Sequence, residues 1–259
     1  MSDDLAPYPP DKVAKWYGRL AAVIAAKKIN GEEPLASRLL QAWLDFGGDG
    51  ARVHQLVIRN PPKHLRENSD VLDVLRFHRA VYLTQQKGRF TGGSERWVGI
   101  LPRLQGKPGF TKWDIKDELD MNYQSLCDIS ITKQLTGDDG EKDLLYALHD
   151  FQVKSQVTVT ATAIPGGKLR ITFKKFEAQA LDTYDWDPTK HITVPNPDYG
   201  SKDPDAIKPG SQTIDVHHSN AKRVEAAGLA APYDLNTVFW PVADAGITGS
   251  AIIDPKESK

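Results

Sequence analysis

The stretch Phe151-Gln152-Val153-Lys154-Ser155-Gln156-Val157-Thr158-Val159-Thr160-Ala161-Thr162-Ala163 decides the fold class. Phe151, Val153, Val157, Val159, Ala161 and Ala163 fall on one face, and Gln152, Lys154, Gln156, Thr158, Thr160 and Thr162 on the other. That is the period-2 pattern of a half-buried strand. Pro165-Gly166-Gly167 reads as a turn. Beyond it Leu169, Ile171 and Phe173 alternate with Lys168, Arg170, Thr172 and Lys174. The pair is predicted to be an antiparallel hairpin whose second strand runs toward residue 181.

Upstream the period changes to that of helices. After Pro9-Pro10-Asp11, the residues Val13, Trp16, Tyr17, Leu20, Val23 and Ile24 place one apolar stripe on a helix ending near Asn30-Gly31. A second helix follows Pro34, carries Leu35, Leu39, Leu40, Trp43 and Leu44, and stops at Gly47-Gly48. A short helix with Val53, Leu56 and Val57 is expected before Pro61-Pro62. A longer one, from about Asp70 to Gln86, carries Leu72, Leu75, Val81 and Tyr82. Four short amphipathic helices cannot each bury a face alone, so they form a bundle or pack on the next domain. Trp16, Tyr17 and Trp43 then belong to the bundle core, with a docking face for a delivery protein as the alternative.

The Gly-rich break at Gly88-Arg89-Phe90-Thr91-Gly92-Gly93 reads as a domain boundary. The expectation is therefore α+β: a helical delivery or docking domain over residues 1–90, then a β-rich catalytic domain, an antiparallel sheet or open barrel, over 91–259. Residues 97–104 and 110–119 are of mixed pattern. The region 187–210 holds Pro188, Pro195, Pro197, Pro204 and Pro209 and reads as an irregular loop, its Pro-Asn-Pro-Asp-Tyr-Gly run a lid or a structured connection. A short helix capped by Ser219 or Asn220 and stopped by Gly228 is expected next. The tail after Ile253 is polar.

Composition excludes several function classes. In 259 residues there is one cysteine, Cys127, so neither a disulfide scaffold nor a Cys-ligated zinc site is available. Cys127 reads as a small buried apolar residue. The charge of -1, with 33 Lys+Arg against 34 Asp+Glu, lacks the basic excess of a nucleic-acid binder. Met1-Ser2-Asp3-Asp4-Leu5-Ala6-Pro7 has no basic segment leading into an apolar one, so no secretory signal peptide is expected. No apolar stretch is long enough to read as a membrane span. Gly-x-Ser-x-Gly, phosphate-loop, dinucleotide-loop and His-Glu-x-x-His motifs are all missing.

The chemistry-bearing residues crowd where the hairpin ends, in Leu181-Asp182-Thr183-Tyr184-Asp185-Trp186-Asp187-Pro188-Thr189-Lys190-His191. On a strand, Asp182 and Tyr184 share a face, and Asp185 follows where the chain turns. Asp187-Pro188 is a turn element that brings His191 back beside the carboxylates. Two acids, a phenol and an imidazole together can bind a divalent cation, activate water and protonate a leaving oxygen.

The spacing Asp-x-Tyr-Asp-x5-His, filled by Asp182, Tyr184, Asp185 and His191, resembles the signature of the colicin M family of bacteriocins. The likeness covers about residues 140–195, including the hairpin that leads into the motif. It implies a phosphoesterase that cuts lipid II, the undecaprenyl-pyrophosphate-linked peptidoglycan precursor, between lipid and pyrophosphate at the periplasmic face of the inner membrane. It implies a divalent cation, Mg²⁺ or Ca²⁺, with Asp182 and Asp185 as its ligands, and the four motif residues as the catalytic set. Asp182 takes the base or metal-ligand role, and His191 the acid or phosphate-contact role.

The family signature continues with Arg directly after the His, where this chain has Ile192. A pyrophosphate needs nearby positive charge. Lys190, Lys222, Arg223 and the His217-His218 pair are the candidates to replace it, with Lys190, His217 and Arg223 foremost. The first 90 residues do not resemble the receptor-binding and import segments of colicins. The expectation is an antibacterial effector made in the bacterial cytoplasm, injected by a contact-dependent machine such as a type VI system, acting on lipid II in the target periplasm and paired with a cognate immunity protein. The alternatives are another metal-dependent phosphoesterase, or a non-enzymatic secretion-associated adaptor with a decayed motif.

Overall fold

The computed structural model describes residues 4–48, 54–83, 119–130 and 132–254. In chain order the elements are α1 (Pro10–Ala26), α2 (Leu35–Asp45), β1 (His54–Ile58), α3 (Lys63–Arg66), α4 (Ser69–Leu83), β2 (Leu119–Asp128), α5 (Lys133–Thr136) and α6 (Asp139–Ala147). The hairpin strands β3 (Asp150–Ile164) and β4 (Lys168–Tyr184) follow. Then come β5 (His191–Pro195), β6 (Thr213–His217), α7 (His218–Ala226), β7 (Tyr233–Thr237), β8 (Trp240–Pro241), α8 (Ala245–Thr248) and β9 (Ala251–Ile253). Helices and mixed strand pairing together make the chain α+β. No helix among the described residues is long and apolar enough to cross a membrane.

The chain forms two compact units, each assembled from three separated stretches. The first comprises Met1–Leu65, Asp128–Phe151 and Leu181–Thr237; the second comprises Arg66–Cys127, Gln152–Ala180 and Val238–Lys259. The Gly-rich break at 88–93 and residues 97–104 and 110–118 lie outside the described residues, as do 1–3 and the end of the tail.

In the first unit, α1 starts with Pro10 at its first position and Asp11 in its first turn. Its Val13, Trp16, Tyr17 and Leu20 are buried, and Asn30 and Gly31, both at positive φ, reverse the chain behind it. The first turn of α2 is capped from a distance: the Leu35 and Ala36 N–H groups donate to the Asp143 carboxylate of α6 at 2.7 and 2.9 Å. Trp16, Tyr17 and Trp43 are 0%, 1% and 0% exposed. The docking-face alternative for these three rings therefore fails, because they are core. Tyr17 and Trp43 also meet Trp186, at 5.8 and 5.5 Å between centroids.

Residues 54–58 correct the expectation of a short helix. They form β1, parallel to β7 from His54↔Tyr233 to Ile58↔Thr237. His54, Leu56 and Ile58 turn inward while Gln55 and Val57 stay exposed. Five residues support either period, and pairing with a strand some 180 residues away selects the strand. On its other side β7 pairs antiparallel with the end of β4, from Leu181↔Asn236 to Tyr184↔Tyr233.

The proline-rich region is also more regular than expected. His191–Pro195 is a strand, antiparallel to Thr213–His217. The Pro-Asn-Pro-Asp-Tyr-Gly run is a structured connection organised by buried Asn196, whose amide donates to the carbonyls of Ile207, Lys208 and Ser211 and whose Oδ1 accepts from Trp16 and the Asp198 N–H. Next in the chain, α7 has His217 at its N-cap position with no side-chain cap, in place of the expected Ser219 or Asn220. It ends as expected at Gly228, where the Gly228 N–H bonds the Glu225 carbonyl and the Leu229 N–H the Val224 carbonyl.

In the second unit the strand order is β4-β3-β2. The hairpin turns at Pro165–Gly167 with Gly166 at φ +83°, a conformation that favours glycine. The Trp240–Pro241 and Ala251–Ile253 strands pair antiparallel with β4. α4 buries Val71, Leu75, His78 and Tyr82.

Candidate active site

The alternation along β4 changes phase once. Leu169, Ile171 and Phe173 are buried, then Lys174 and Lys175 are both exposed, and from there the even positions Phe176, Ala178 and Ala180 are buried. One extra outward residue is the mark of a bulge. Its consequence is at the strand's end: Asp182 and Tyr184, which share a face as expected, lie on the inward one. There Asp182 stands opposite Leu235, and Tyr184 opposite Tyr233. His54 is on the far side of Tyr233 in the same row.

Asp182 is half-buried, and one of its oxygens accepts the Thr183 N–H at 2.8 Å. Burial raises its carboxyl to about 7 against that hydrogen bond, and the neighbouring Asp150 and Asp185 carboxylates add to the rise. Tyr184 is buried, stacked on Tyr233 at 5.1 Å and 17° and edge-on to Trp186 at 5.8 Å. Its phenol is pushed up by burial and by the Asp182 charge. Tyr233 donates its own hydroxyl proton to the Leu39 carbonyl at 2.9 Å. Asp185 is exposed.

The imidazole half of the motif sits beyond Trp186. The Asp187 carboxylate accepts from both the N–H and the hydroxyl of Thr189, and the Lys190 N–H closes the turn on the Asp187 carbonyl at 3.0 Å. His191, exposed at the start of β5, pairs with His217, and their rings stack at 5.4 Å and 26°. His218 stands edge-on to Trp186 at 4.9 Å and donates to the Asp187 carbonyl. Burial, with the Lys190 charge, pushes its imidazole down to about 4. Trp186 Nε1, His217 Nε2 and His218 Nδ1 are buried polar atoms without a hydrogen-bond partner among the described residues. Trp186 thus touches Tyr184 on one side and His218 on the other, and holds the carboxylate-phenol half and the imidazole half in one unit.

The candidates for positive charge separate clearly. Lys190 and His217 flank His191 in the turn and across the strand pair. Arg223 is committed elsewhere: it donates to the Ala6 and Tyr8 carbonyls and to Asn220. Lys222 is paired with Glu225 at 2.9 Å. Ile192, in the position of the signature's Arg, is half-buried opposite Val216.

No group of three or more His, Cys, Asp or Glu side chains among the described residues is arranged to hold a metal ion. Mg²⁺ is commonly held by only one or two carboxylates, with water and substrate phosphate supplying the rest. Asp182 and Asp185 are the two carboxylates available for that mode, the Asp185 charge lying close enough to add to the rise of the Asp182 carboxyl. Spacing alone did not point to His54, Asp150, Tyr233 or the bridging Trp186. The period-2 alternation of Tyr233, Leu235 and Thr237 is the one local signal that would have drawn attention to β7.

In comparisons with protein-family models, curated proteins and solved structures, this chain matches none.

Proposed function

We propose that the chain is a phosphoesterase acting on lipid II, an antibacterial effector that cuts the bond between undecaprenol and pyrophosphate. One observation carries this reading: the motif carboxyl Asp182 is held near neutrality beside Tyr184, in a unit where Trp186 ties both to the imidazoles around His191. A group poised near the working pH exchanges protons most effectively.

In this reading Asp182, ionised, takes a proton from the attacking water, and His191 gives one to the departing lipid oxygen. The phosphorus–oxygen bond to the lipid breaks, leaving undecaprenol and the pyrophosphorylated sugar-peptide. Lys190 and His217 supply the positive charge that the signature's Arg provides. Tyr184 and Tyr233 wall the carboxyl against solvent. A divalent cation, Mg²⁺ or Ca²⁺, held by Asp182 and Asp185 would neutralise charge on the phosphates, and Asp182 would then be its ligand in place of the base. The biological setting that goes with this chemistry is injection by a contact-dependent secretion machine, action in the target periplasm, and an immunity protein in the producer.

The test is incubation of purified protein with lipid II and Mg²⁺ or Ca²⁺, beside Asp182→Ala and His191→Ala, with extraction of free undecaprenol. Release by the wild type and loss in both variants is the expected result. Cleavage of other phosphoesters alone transfers the site to a different phosphoesterase. No cleavage of any phosphoester by folded protein sinks the enzymatic reading in favour of an adaptor. Expression with an added periplasmic signal peptide is expected to lyse cells, and equal toxicity without it counts against the periplasmic target.

A further inference from the structure

A second constellation, in the second unit, is unused by the site above. Ser125 on β2, His78 and Tyr82 on α4, and Ser155 on β3 form a continuous hydrogen-bonded chain. Ser125 Oγ lies 2.7 Å from His78 Nε2, and His78 Nδ1 lies 2.8 Å from Ser155 Oγ. Tyr82 Oη lies 2.7 Å from Ser155 Oγ and 3.1 Å from the Ser155 carbonyl oxygen. His78 and Ser155 are 0% exposed, while Ser125 is half-buried at one end of the chain.

With Tyr82 giving its single proton to the Ser155 carbonyl, one consistent direction of donation runs along the chain. The Ser155 hydroxyl then donates to Tyr82 Oη and keeps a lone pair for His78 Nδ1–H. A neutral imidazole carries one N–H, so Nε2 holds the lone pair and Ser125 donates to it. The opposite direction, with the Ser155 hydroxyl donating to Nδ1 and Nε2–H to Ser125, is the tautomer in which Ser125 has no base. Burial holds His78 down to about 4, which keeps the ring neutral at pH 7. A hydroxyl on a base whose other nitrogen is oriented by a third group is the arrangement of an activated nucleophile. Tyr123 packs edge-on to the His78 ring at 4.7 Å and meets Phe77, itself 53% exposed, at 6.0 Å. Among the described residues, these two aromatic rings stand beside the His78 imidazole that Ser125 meets.

We propose that Ser125 is a nucleophile, with His78 as its general base and Ser155 and Tyr82 as positioning residues, and that it takes an acyl or phosphonyl group from an apolar ester or fluoride. Ser125 Oγ bonds to the acyl carbon as its proton passes to His78 Nε2. The ester's alkoxide leaves with that proton as an alcohol, and water later releases the acid by the same route in reverse. The third member is a hydroxyl and not a carboxylate, so the imidazolium lacks a counter-charge and turnover is slower than labelling.

The experiment uses the full chain and an alkyl fluorophosphonate probe, with the adduct located by peptide mass mapping. One adduct at Ser125 is expected, with fluoride released, and it is absent from Ser125→Ala and from urea-unfolded protein. His78→Gln is expected to slow labelling by about 100-fold or more, the contribution of a positioned general base. No adduct on folded wild type overturns the proposal, as does an adduct that survives Ser125→Ala or a His78→Gln protein, folded by circular dichroism, that labels at the wild-type rate. If His78→Gln does not fold, Ser125→Cys decides. Its alkylation by iodoacetamide is expected to outpace that of a free cysteine, with buried Cys127 as the unreactive control, and a rate no faster than the free thiol's overturns the proposal.

Discussion

His191 and His217 face each other across the β5–β6 pair with their rings 5.4 Å apart and 26° from parallel. Exposed His191 and the Lys190 turn stand beside half-buried His217, whose Nε2 is buried and unpartnered among the described residues, and an anion held there would bridge the two rings. His217→Ala is therefore expected to weaken binding of inorganic pyrophosphate about 10-fold, the loss of one charge-assisted hydrogen bond. The check is the pyrophosphate-induced rise in melting temperature, which shrinks in His217→Ala and is unchanged in Arg223→Lys. Equal rises in wild type and His217→Ala would remove His217 from the phosphate contact.

Asp182 gives a stability signature that does not depend on any substrate. Its carboxyl titrates near 7 in the folded chain against an ordinary value near 3.8. Between those values the native state keeps a proton that the unfolded state has released, so this group's contribution to stability falls as pH rises through the window and is fully lost above about 7. Asp182→Asn cannot ionise. Its melting temperature relative to wild type is expected to climb from pH 5 to pH 8, and parallel curves would show that the carboxyl is not raised.

Arg19 and Asp198 predict the opposite sign. Burial pushes the Asp198 carboxyl up, but the Arg19 guanidinium at 2.6 and 2.8 Å and the Ile207 N–H outweigh it and hold the carboxyl below the ordinary range. The stability it contributes is present above pH 4 and lost as pH falls through the folded value. Arg19→Met is expected to cost about 2–3 kcal/mol at pH 7, less than a fully buried pair because Arg19 is 37% exposed. The cost should hold from pH 7 down to pH 4 and shrink below it in denaturant titrations. A constant cost would assign the loss to packing.

Gly47 is held by close approach. A Cβ there would sit 2.4 Å from the Leu229 main-chain carbon and 2.7 Å from the Ala230 nitrogen, where the Ala231 N–H already bonds the Trp43 carbonyl. Main chain cannot step aside as a side-chain tip can, so Gly47→Ala is expected to cost about 3 kcal/mol. Gly31→Ala, with open space around it and φ +82°, is expected to cost about 1 kcal/mol. Equal midpoints for the two variants in urea would contradict the contact.

Gly47 and Gly48 mark a helix stop in the sequence and α2 does end just before them, yet the reason Gly47 matters lies in Leu229 and Ala230, far along the chain. The same division runs through the site. The turn at Asp187-Pro188 and the shared face of Asp182 and Tyr184 were legible, since both follow from local backbone geometry. The commitment of Arg223 to the Ala6 and Tyr8 carbonyls was not, since no spacing rule connects a helix to a segment more than 200 residues earlier.

What the sequence determined by itself is whatever repeats within a few residues: the apolar stripes of α1 and α2, the alternation of the hairpin, the Gly228 stop and the motif's spacing. Tertiary structure alone decided which side of each repeat is buried and what meets it there. The Lys174-Lys175 doublet turns Asp182 inward, β7 makes residues 54–58 a strand, and desolvation together with Asp150 and Asp185 lifts the Asp182 carboxyl. Burial, long-range pairing and electrostatics depend on distance through space, and a chain's order specifies distance only along itself.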